Sequence, residues 1–262
     1  MIKIAFPAPD LLIKYLSYFE GSDMGNVILI TSGKGGAGKT TFTVNLGYTL
    51  AAAGAKVLLL DFNMGLRNID IYLGMENDSL FDLGDVFSGV CRLDKAIVQN
   101  QNCRNLSLLC CPQYKSFEGL TQDHVRILFD TLRKDYDFIL VDTRTGLWGE
   151  LSLAASCADE ALVIMDPDYV SVRNADSVDR MLENSGILKR FYAVNRVKPN
   201  ILSEDMLPGP DYIARVFKTP LAGIVLEDEN INFANNSGVP ICIDQDSYIA
   251  RNFAEIAAKL IR

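Results

Sequence analysis

One glycine-rich stretch, residues 32–41, constrains the fold of this chain more than any other. It reads Ser-Gly-Lys-Gly-Gly-Ala-Gly-Lys-Thr-Thr, follows an apolar run at 27–30 and opens a segment with helical periodicity. The spacing G-x-x-x-x-G-K-[ST] between a strand and a helix is typical of a phosphate-binding loop. Glycines let backbone N–H groups turn towards an anion, and the helix behind adds the positive end of its dipole. The stretch therefore predicts a nucleotide phosphate site in an α/β fold.

The polar residues of this loop have distinct predicted roles. Lys39 is expected on the terminal phosphates of a nucleotide, and the Thr40 hydroxyl in the coordination shell of Mg²⁺. The other predicted nucleotide contacts of the loop are Gly33, Gly35, Gly36, Ala37, Gly38 and Thr41.

A second lysine lies inside the loop, where an ordinary phosphate-binding loop needs no charge. Lys34 follows the first glycine and makes the deviant Walker A sequence K-G-G-x-G-K-[ST]. With this motif the chain resembles the MinD/ParA family of P-loop ATPases over roughly residues 25–262. The resemblance implies that the chain binds ATP with Mg²⁺, hydrolyses it to ADP and phosphate, and uses Lys34 to reach the partner's nucleotide across a homodimer. The alternative for Lys34 is a solvated surface lysine.

The rest of the chain alternates apolar runs with amphipathic segments. Near-continuous apolar runs without period-2 alternation are typical of parallel strands covered on both faces. Such runs occur at 27–31, 56–61, 106–111, 137–142, 160–166, 191–195 and 221–226. This order predicts an α/β P-loop NTPase fold, in which a mostly parallel sheet of seven or eight strands has helices on both faces. The ligand is expected at the carboxyl ends of the strands.

The segment at 60–70 follows the second run and carries further site residues. It resembles the family's D-x-D-x-G-L-R-N-x-D segment, and the G-L-R-N run points to the MinD branch. A carboxylate at a strand end beside the phosphate loop can bind the metal shell or orient a water, so Asp61 is predicted as a metal and catalytic residue. The family's second aspartate is Asn63 here, and an amide holds a water but accepts no proton. We therefore expect ATP binding with slow turnover. The predicted catalytic residues are Lys34, Lys39, Asp61 and Asn63.

A Walker B strand ends at Asp142, after four apolar residues. This pattern predicts that Asp142 holds Mg²⁺ through water. The family follows this aspartate with a proline-containing pair and then a glycine; Gly146 is kept, but Arg144-Thr145 replaces the pair. Arg144 is either an interface cation or a solvated side chain. Trp148 is either an anchor for the dimer or a partner, or a core residue.

Two later segments match positions where the family contacts adenine. Asn195 and Arg196 end a strand at the place where the family uses asparagine. Glu227 and Asp228 end the run G-I-V-L-E-D, which resembles the family's base-binding turn with Leu226 in place of the usual proline. The resemblance implies that these two pairs bind the base.

Both ends of the chain depart from the family. Residues 1–26 precede its usual start, and their pattern predicts a strand and a helix packed on the edge of an ATPase domain at 27–262; the alternative is a membrane- or partner-binding helix. Family members end in a basic amphipathic helix that lies on the membrane, whereas this chain stops in what reads as the last core helix. That helix was removed, is replaced by residues 1–26, or is not needed; we favour the last two. We expect a cytoplasmic protein, with the inner face of the membrane or a cell pole as its peripheral location.

Composition narrows the functional classes. The net charge of −8 disfavours non-specific binding to nucleic acid, because an acidic surface repels the phosphate backbone. No specific nucleic-acid partner is expected either. Six cysteines without C-x-x-C spacing, and Thr143-Arg144-Thr145 after the Walker B aspartate, speak against the iron–sulfur branch of the family.

The resemblance implies a nucleotide-dependent spatial switch. ATP and Mg²⁺ would close a homodimer, and its surface would recruit a protein partner, with septum placement in cell division as the output. The alternative is a polar landmark or scaffold ATPase of pilus or flagellum assembly, like the TadZ, CpaE and FlhG relatives. Such a scaffold needs little turnover, which would suit Asn63. The partner is accordingly a division, pilus or flagellar regulator.

Overall fold

A computed structural model of the chain describes residues 24–113, 120–145, 149–198 and 208–261. The predicted strand and helix of the N-terminal extension lie at 1–23, outside the described residues. Gly146 and Trp148 lie outside them as well.

Eight strands form one sheet in the described part of the chain. They are β1 (Asn26–Ser32), β2 (Val57–Phe62), β3 (Ile97–Gln99), β4 (Leu106–Leu109), β5 (Phe138–Thr143), β6 (Glu160–Met165), β7 (Lys189–Val197) and β8 (Leu221–Leu226). Their order is β3-β4-β2-β5-β1-β6-β7-β8. Every neighbouring pair is parallel except β3 and β4. The predicted mostly parallel sheet is confirmed, and each of the seven apolar runs became a strand.

Helices cover both faces of the sheet, as predicted. They are α1 (Lys39–Ala52), α2 (Ile69–Tyr72), α3 (Leu83–Phe87), α4 (Leu93–Ala96), α5 (Gln122–Leu132), α6 (Glu150–Ala155), α7 (Tyr169–Asn184), α8 (Pro210–Val216), α9 (Glu229–Asn236) and α10 (Tyr248–Leu260). None of these helices is long and apolar enough to cross a bilayer.

The core consists of two layers, one on each face of the sheet. In β1, Ile28 and Ile30 belong to the layer under α1 and α10, while Val27 and Leu29 belong to the layer under α5, α6 and α7. This division follows from the pleat, because successive side chains of a strand point to opposite faces. Burial on both faces explains why these strands read as continuous apolar runs.

The register of the central strands brings the predicted site together. β1 lies between β5 and β6, and β2 lies on the other side of β5. Asp142 of β5 is level with Ile30 of β1 and with Asp61 of β2. The phosphate loop, which follows β1, is therefore beside both carboxylates at the carboxyl edge of the sheet.

Candidate nucleotide-binding site

The loop between β1 and α1 needs glycine at two positions for different reasons. Gly38 has φ of 97°, and a Cβ there would lie 2.4 Å from Nδ2 of Asn195. Gly33 approaches α7 so closely that a Cβ would lie 2.3 Å from the carbonyl carbon of Asn174. Both contacts are shorter than any real Cβ contact, so the loop is held against the fold on two sides.

The middle of the loop is open, as a ligand site requires. A Cβ on Gly35 or Gly36 would meet no other described atom within 4 Å. Ala37, by contrast, is buried, and its carbonyl oxygen accepts a hydrogen bond of 2.8 Å from Nδ2 of Asn195. The Thr41 hydroxyl accepts from the side-chain amide of Asn235 on α9 at 3.1 Å.

Lys39 lies at the start of α1 with its ammonium group between two hydroxyls. Its Nζ donates to Oγ1 of Thr145 at 2.7 Å and to Oγ of Ser32 at 3.2 Å. Burial lowers the pKa of the Lys39 amine. Because both hydroxyls are neutral, an incoming phosphate would supply the negative charge that this half-buried cation lacks in its immediate contacts.

Lys34 extends to the end of β6, where two aspartates meet it. Its Nζ lies 3.1 Å from Oδ2 of Asp168 and 3.6 Å from Oδ2 of Asp166. The hydrogen bond to Asp168 raises the pKa of Lys34. Arg196 also reaches Asp166, at 3.4 Å. No motif in the sequence identifies these two aspartates; the available signal is that the 160–166 run ends in aspartate, as the β2 and β5 runs do.

Asp142 has the surroundings of a Mg²⁺ ligand. Its Oδ2 accepts a hydrogen bond of 2.6 Å from the Thr40 hydroxyl. Its Oδ1 is buried and has no hydrogen-bond partner among the described residues. A buried carboxylate oxygen beside a hydroxyl is a hard oxygen pair of the kind that Mg²⁺ prefers. The residues present thus fit the ion, with Thr40 and Asp142 as the pair that would hold it.

Asp61 is level with Asp142, but its carboxylate oxygens are hydrogen-bonded to backbone N–H groups. It accepts hydrogen bonds from the N–H groups of Asn63, Asn68 and Ile69 at 3.1, 3.0 and 3.3 Å. These bonds fold the segment after β2 into a compact turn. Burial raises the pKa of Asp61. Its metal and catalytic role stays a prediction. To bind a metal ion or a water, the Asp61 carboxylate would have to break some of these backbone hydrogen bonds.

Asn63 begins that turn, and its side chain has an unused acceptor. Its amide oxygen is buried without a hydrogen-bond partner among the described residues. The carbonyl oxygen of Asn63 accepts from the N–H of Leu66 at 3.0 Å and closes the turn. A buried amide oxygen that lacks a donor is suited to hold a water molecule.

Asn195 supports the phosphate loop in this structure. It is a buried residue near the end of β7, and its side-chain amide donates to the carbonyl oxygen of Ala37. Arg196 has φ of 54°, at an irregularity in the pairing of β7 with β8. The predicted base contacts of both residues remain predictions.

Glu227 and Asp228 lie at the end of β8. The Glu227 carboxylate is 4.0 Å from Lys198. Asp228 caps α9 through the N–H of Asn230 at 2.7 Å and accepts a hydrogen bond from the Tyr248 hydroxyl. Asp228 therefore has a structural role, and base binding by this pair stays a prediction.

Replacing Asp142 by asparagine should stabilise the metal-free protein at neutral pH by about 2 kcal/mol. Burial, and then the charge of Asp61, raise the pKa of Asp142. A carboxyl group with a raised folded-state pKa destabilises the fold increasingly as pH rises from the unfolded pKa of about 4 towards the folded one. Urea unfolding in a chelator at pH 5 and pH 8 measures the effect.

The gain from Asp142→Asn should be larger at pH 8 than at pH 5, because the wild-type carboxyl is largely protonated in the folded state at the lower pH. Thr40→Ala serves as the control, since it removes the neighbouring hydroxyl and leaves the charge. A variant less stable than the wild type at pH 8 would contradict the assignment of a strained buried charge.

Comparison with known proteins shows which family the chain belongs to. The family described as "AAA domain" matches residues 25–186. The putative septum site-determining protein MinD of Guillardia theta is 37% identical over 224 residues, which cover 85% of this chain and 83% of that protein.

Solved structures give the same result. The MinC:MinD cell division protein complex of Aquifex aeolicus matches with a TM-score of 0.84 and 33% identity, covering 90% of this chain and 96% of the matched chain. The septum site-determining protein MinD of Pyrococcus horikoshii, complexed with Mg-ADP, matches with a TM-score of 0.77 and 28% identity. It covers 89% of this chain and 95% of that one.

Proposed function

The chain belongs to the MinD family of P-loop ATPases and is a MinD-like regulator of septum placement, and we propose that it acts as a switch in which ATP and Mg²⁺ hold two copies together. In this proposal Lys39 binds the terminal phosphates, Thr40 and Asp142 hold the Mg²⁺, and the backbone of residues 33–38 surrounds the inner phosphates. The Pyrococcus horikoshii relative, which was solved with Mg-ADP, supports this assignment.

The observation that most supports the proposed dimer is the position of Lys34. Its side chain is 42% exposed, and its two carboxylate contacts lie within its own chain. The pair with Asp168 is exposed on both sides, and exposed ion pairs contribute only about 0–1 kcal/mol. Asp166 is more buried, but it keeps Arg196 as a partner when Lys34 leaves. Lys34 can therefore leave both aspartates at little cost and bind a phosphate group of a second molecule, where the charges are greater and the site is closed to water.

This arrangement couples nucleotide to assembly. If Lys34 contacts the partner's ATP only in the dimer, ATP shifts the monomer–dimer balance by that differential affinity. When ATP is hydrolysed the contact weakens and the dimer separates. With Asn63 in place of the family's second aspartate, we propose that this separation is slow.

The partner is a second protein that recognises the dimer. The Aquifex aeolicus relative was solved as a complex with MinC, which supports a MinC-like protein as the partner. At the start of α7, Tyr169 and Val170 are large exposed hydrophobic residues next to Asp168. Tyr169 packs edge-to-face with Tyr212 of α8, with ring centroids 5.2 Å apart. We propose that this cluster contributes to the partner-binding surface.

The cellular location and the division of the chain into domains are further parts of the proposal. We propose a cytoplasmic protein that acts at the inner face of the membrane or at a pole, with residues 1–26 as an extension of the ATPase domain at 27–262. Co-sedimentation with anionic liposomes, with and without residues 1–23, tests whether the extension reaches lipid.

Replacing Lys34 by alanine should abolish the ATP-dependent dimer. Sedimentation or light scattering of the wild type should give a monomer without nucleotide and a dimer with ATP and Mg²⁺, whereas Lys34→Ala should stay monomeric in both. Nucleotide binding by the monomer should persist, because Lys39 and the loop backbone are unchanged. Lys95→Ala, which removes an exposed lysine on α4, is the matched control and should dimerise normally.

A landmark or scaffold protein is the second candidate, because Asn63 favours an ATP-bound form that rarely turns over. The same experiment separates the two. A dimer that forms without nucleotide, or that persists in Lys34→Ala, would contradict the switch and favour the scaffold.

A further inference from the structure

Thr145 contacts Lys39 of the phosphate loop, although it belongs neither to that loop nor to the residues predicted to bind Mg²⁺. It lies two residues beyond the end of β5 and is half-buried. Its hydroxyl is the nearer partner of the Lys39 ammonium group, at 2.7 Å. Thr145 belongs to the Arg144-Thr145 pair that replaces the family's proline-containing pair, so the sequence marks it only as a departure from the family's pattern.

The chemistry of the hydroxyl suits it to bind an anion together with Lys39. A threonine hydroxyl has one donor and two acceptor positions. When Lys39 donates to one of its lone pairs, its own proton remains available for another acceptor. A phosphoryl oxygen within hydrogen-bond distance of Lys39 is such an acceptor, because nitrogen and hydroxyl oxygen are themselves only 2.7 Å apart.

The direction from which Thr145 approaches indicates which phosphate it would contact. The backbone of the loop surrounds the inner phosphates, whereas the loop lysine reaches the outer ones. Thr145 comes to Lys39 from the end of β5, the strand that also carries Asp142, and not from the loop. Its hydroxyl is thus added on the Mg²⁺ side of the site, at the outer end of a triphosphate.

We propose that Thr145 is a specificity-determining residue that distinguishes ATP from ADP by donating a hydrogen bond to the terminal phosphate that Lys39 holds. This inference rests on the proposed function, since it takes ATP as the ligand. Its consequence is that the segment after β5 is tied to the terminal phosphate and is released when that phosphate leaves.

Replacing Thr145 by valine tests the inference, because valine keeps the shape and removes the hydroxyl. The readout is the ratio of affinities for a non-hydrolysable ATP analogue and for ADP, measured by calorimetry with Mg²⁺ present. We expect this ratio to fall about tenfold, as is typical for the loss of a hydrogen bond to a charged group. The variant also loses the contact with Lys39 in the nucleotide-free protein. That loss changes the two affinities by the same factor, so it cancels in the ratio.

Two further variants control for structural damage. Thr145→Ser keeps the hydroxyl and should retain the wild-type ratio, whereas Thr145→Ala should lower it as valine does. Thr145→Ala also replaces the valine variant if that one fails to fold. All three are measured in the Lys34→Ala background as well, so that dimer formation makes no contribution to the affinity for the ATP analogue.

The outcomes separate this inference from the proposed function. A wild-type protein that binds neither nucleotide would overturn both. A wild type that binds both, with an unchanged ratio in Thr145→Val and Thr145→Ala, would overturn the role of Thr145 and leave the ATP switch in place. If the affinity ratio falls in Thr145→Ser as much as in Thr145→Val, the role of Thr145 is also overturned, because the hydroxyl is then not what distinguishes the two nucleotides.

Discussion

Replacing Asn63 by aspartate should raise the rate of ATP hydrolysis by about 100-fold. The neutral amide can orient a water but cannot take its proton, whereas a carboxylate can do both. Positioned proton-transfer groups contribute factors of about 10² to 10⁴, and we expect the lower end because the amide already supplies the positioning. Phosphate release at saturating ATP and Mg²⁺ measures the change.

The affinity for ATP should change much less than the rate. Asn63 contributes an amide oxygen that has no partner among the described residues, and the contacts of Lys39, Thr40 and the loop are independent of it. Asn63→Ala is the control, and it should be no faster than the wild type. If the wild-type protein hydrolyses ATP as fast as Asn63→Asp, the proposal of slow turnover is wrong.

Replacing Arg190 by methionine should destabilise the protein by about 3–5 kcal/mol. Arg190 of β7 is 6% exposed and donates to Asp179 of α7 at 2.9 Å and to the carbonyl oxygen of Ile187 at 2.6 Å. Removing the guanidinium leaves Asp179, itself 6% exposed, as a buried charge without its main partner. Urea unfolding at pH 7 measures the free energy of unfolding.

An exposed arginine on α7, the helix that carries Asp179, provides the matched control. Arg180 pairs with Asp176 at 3.0 Å, but its side chain is 71% exposed, so Arg180→Met should cost less than about 1 kcal/mol. The double variant Arg190→Met with Asp179→Leu should regain most of the loss, because it leaves no buried unpaired charge. Glu183, the other carboxylate near Arg190 at 3.3 Å, is 58% exposed and stays solvated. Equal losses for Arg190→Met and Arg180→Met would show that burial of the Arg190 pair contributes nothing.

The effect of Arg190 also bears on the switch. Asp168, which contacts Lys34, is the N-cap residue of α7, and Asp179, which contacts Arg190, lies in the second half of that helix. Holding the second half of α7 against β7 keeps its first turn at a defined distance from the phosphate loop. A protein with Arg190→Met should therefore bind ATP, if it folds, but form the dimer less well.

The sheet could be predicted from the sequence because burial on both faces leaves a local trace. Each central strand is a continuous apolar run, and all seven such runs became strands. β3 left no such trace, since it has three residues at the edge of the sheet and none of them is buried. Its antiparallel pairing with β4 depends on the course of the chain through α3 and α4.

The central part of the site was also predictable. The spacing of Lys39 and Thr40 within one loop is a local pattern, and a parallel sheet brings the ends of neighbouring strands to one edge. The contact between Thr40 and Asp142 joins residues 102 positions apart, yet it follows from the two motifs and the order of the strands.

The long-range contacts of the phosphate loop were decided only by the tertiary structure. Thr145 is 106 positions from Lys39, Asp168 is 134 from Lys34, and Asn195 is 158 from Ala37. No periodicity or spacing connects such pairs, because each depends on how the strands and the segments after them pack against the loop. The sequence by itself predicted a phosphate-binding loop that contains two lysines. The packing of the segments that follow β5 and β6 against that loop decided which side chains contact those lysines, because these contacts form only when distant parts of the chain meet.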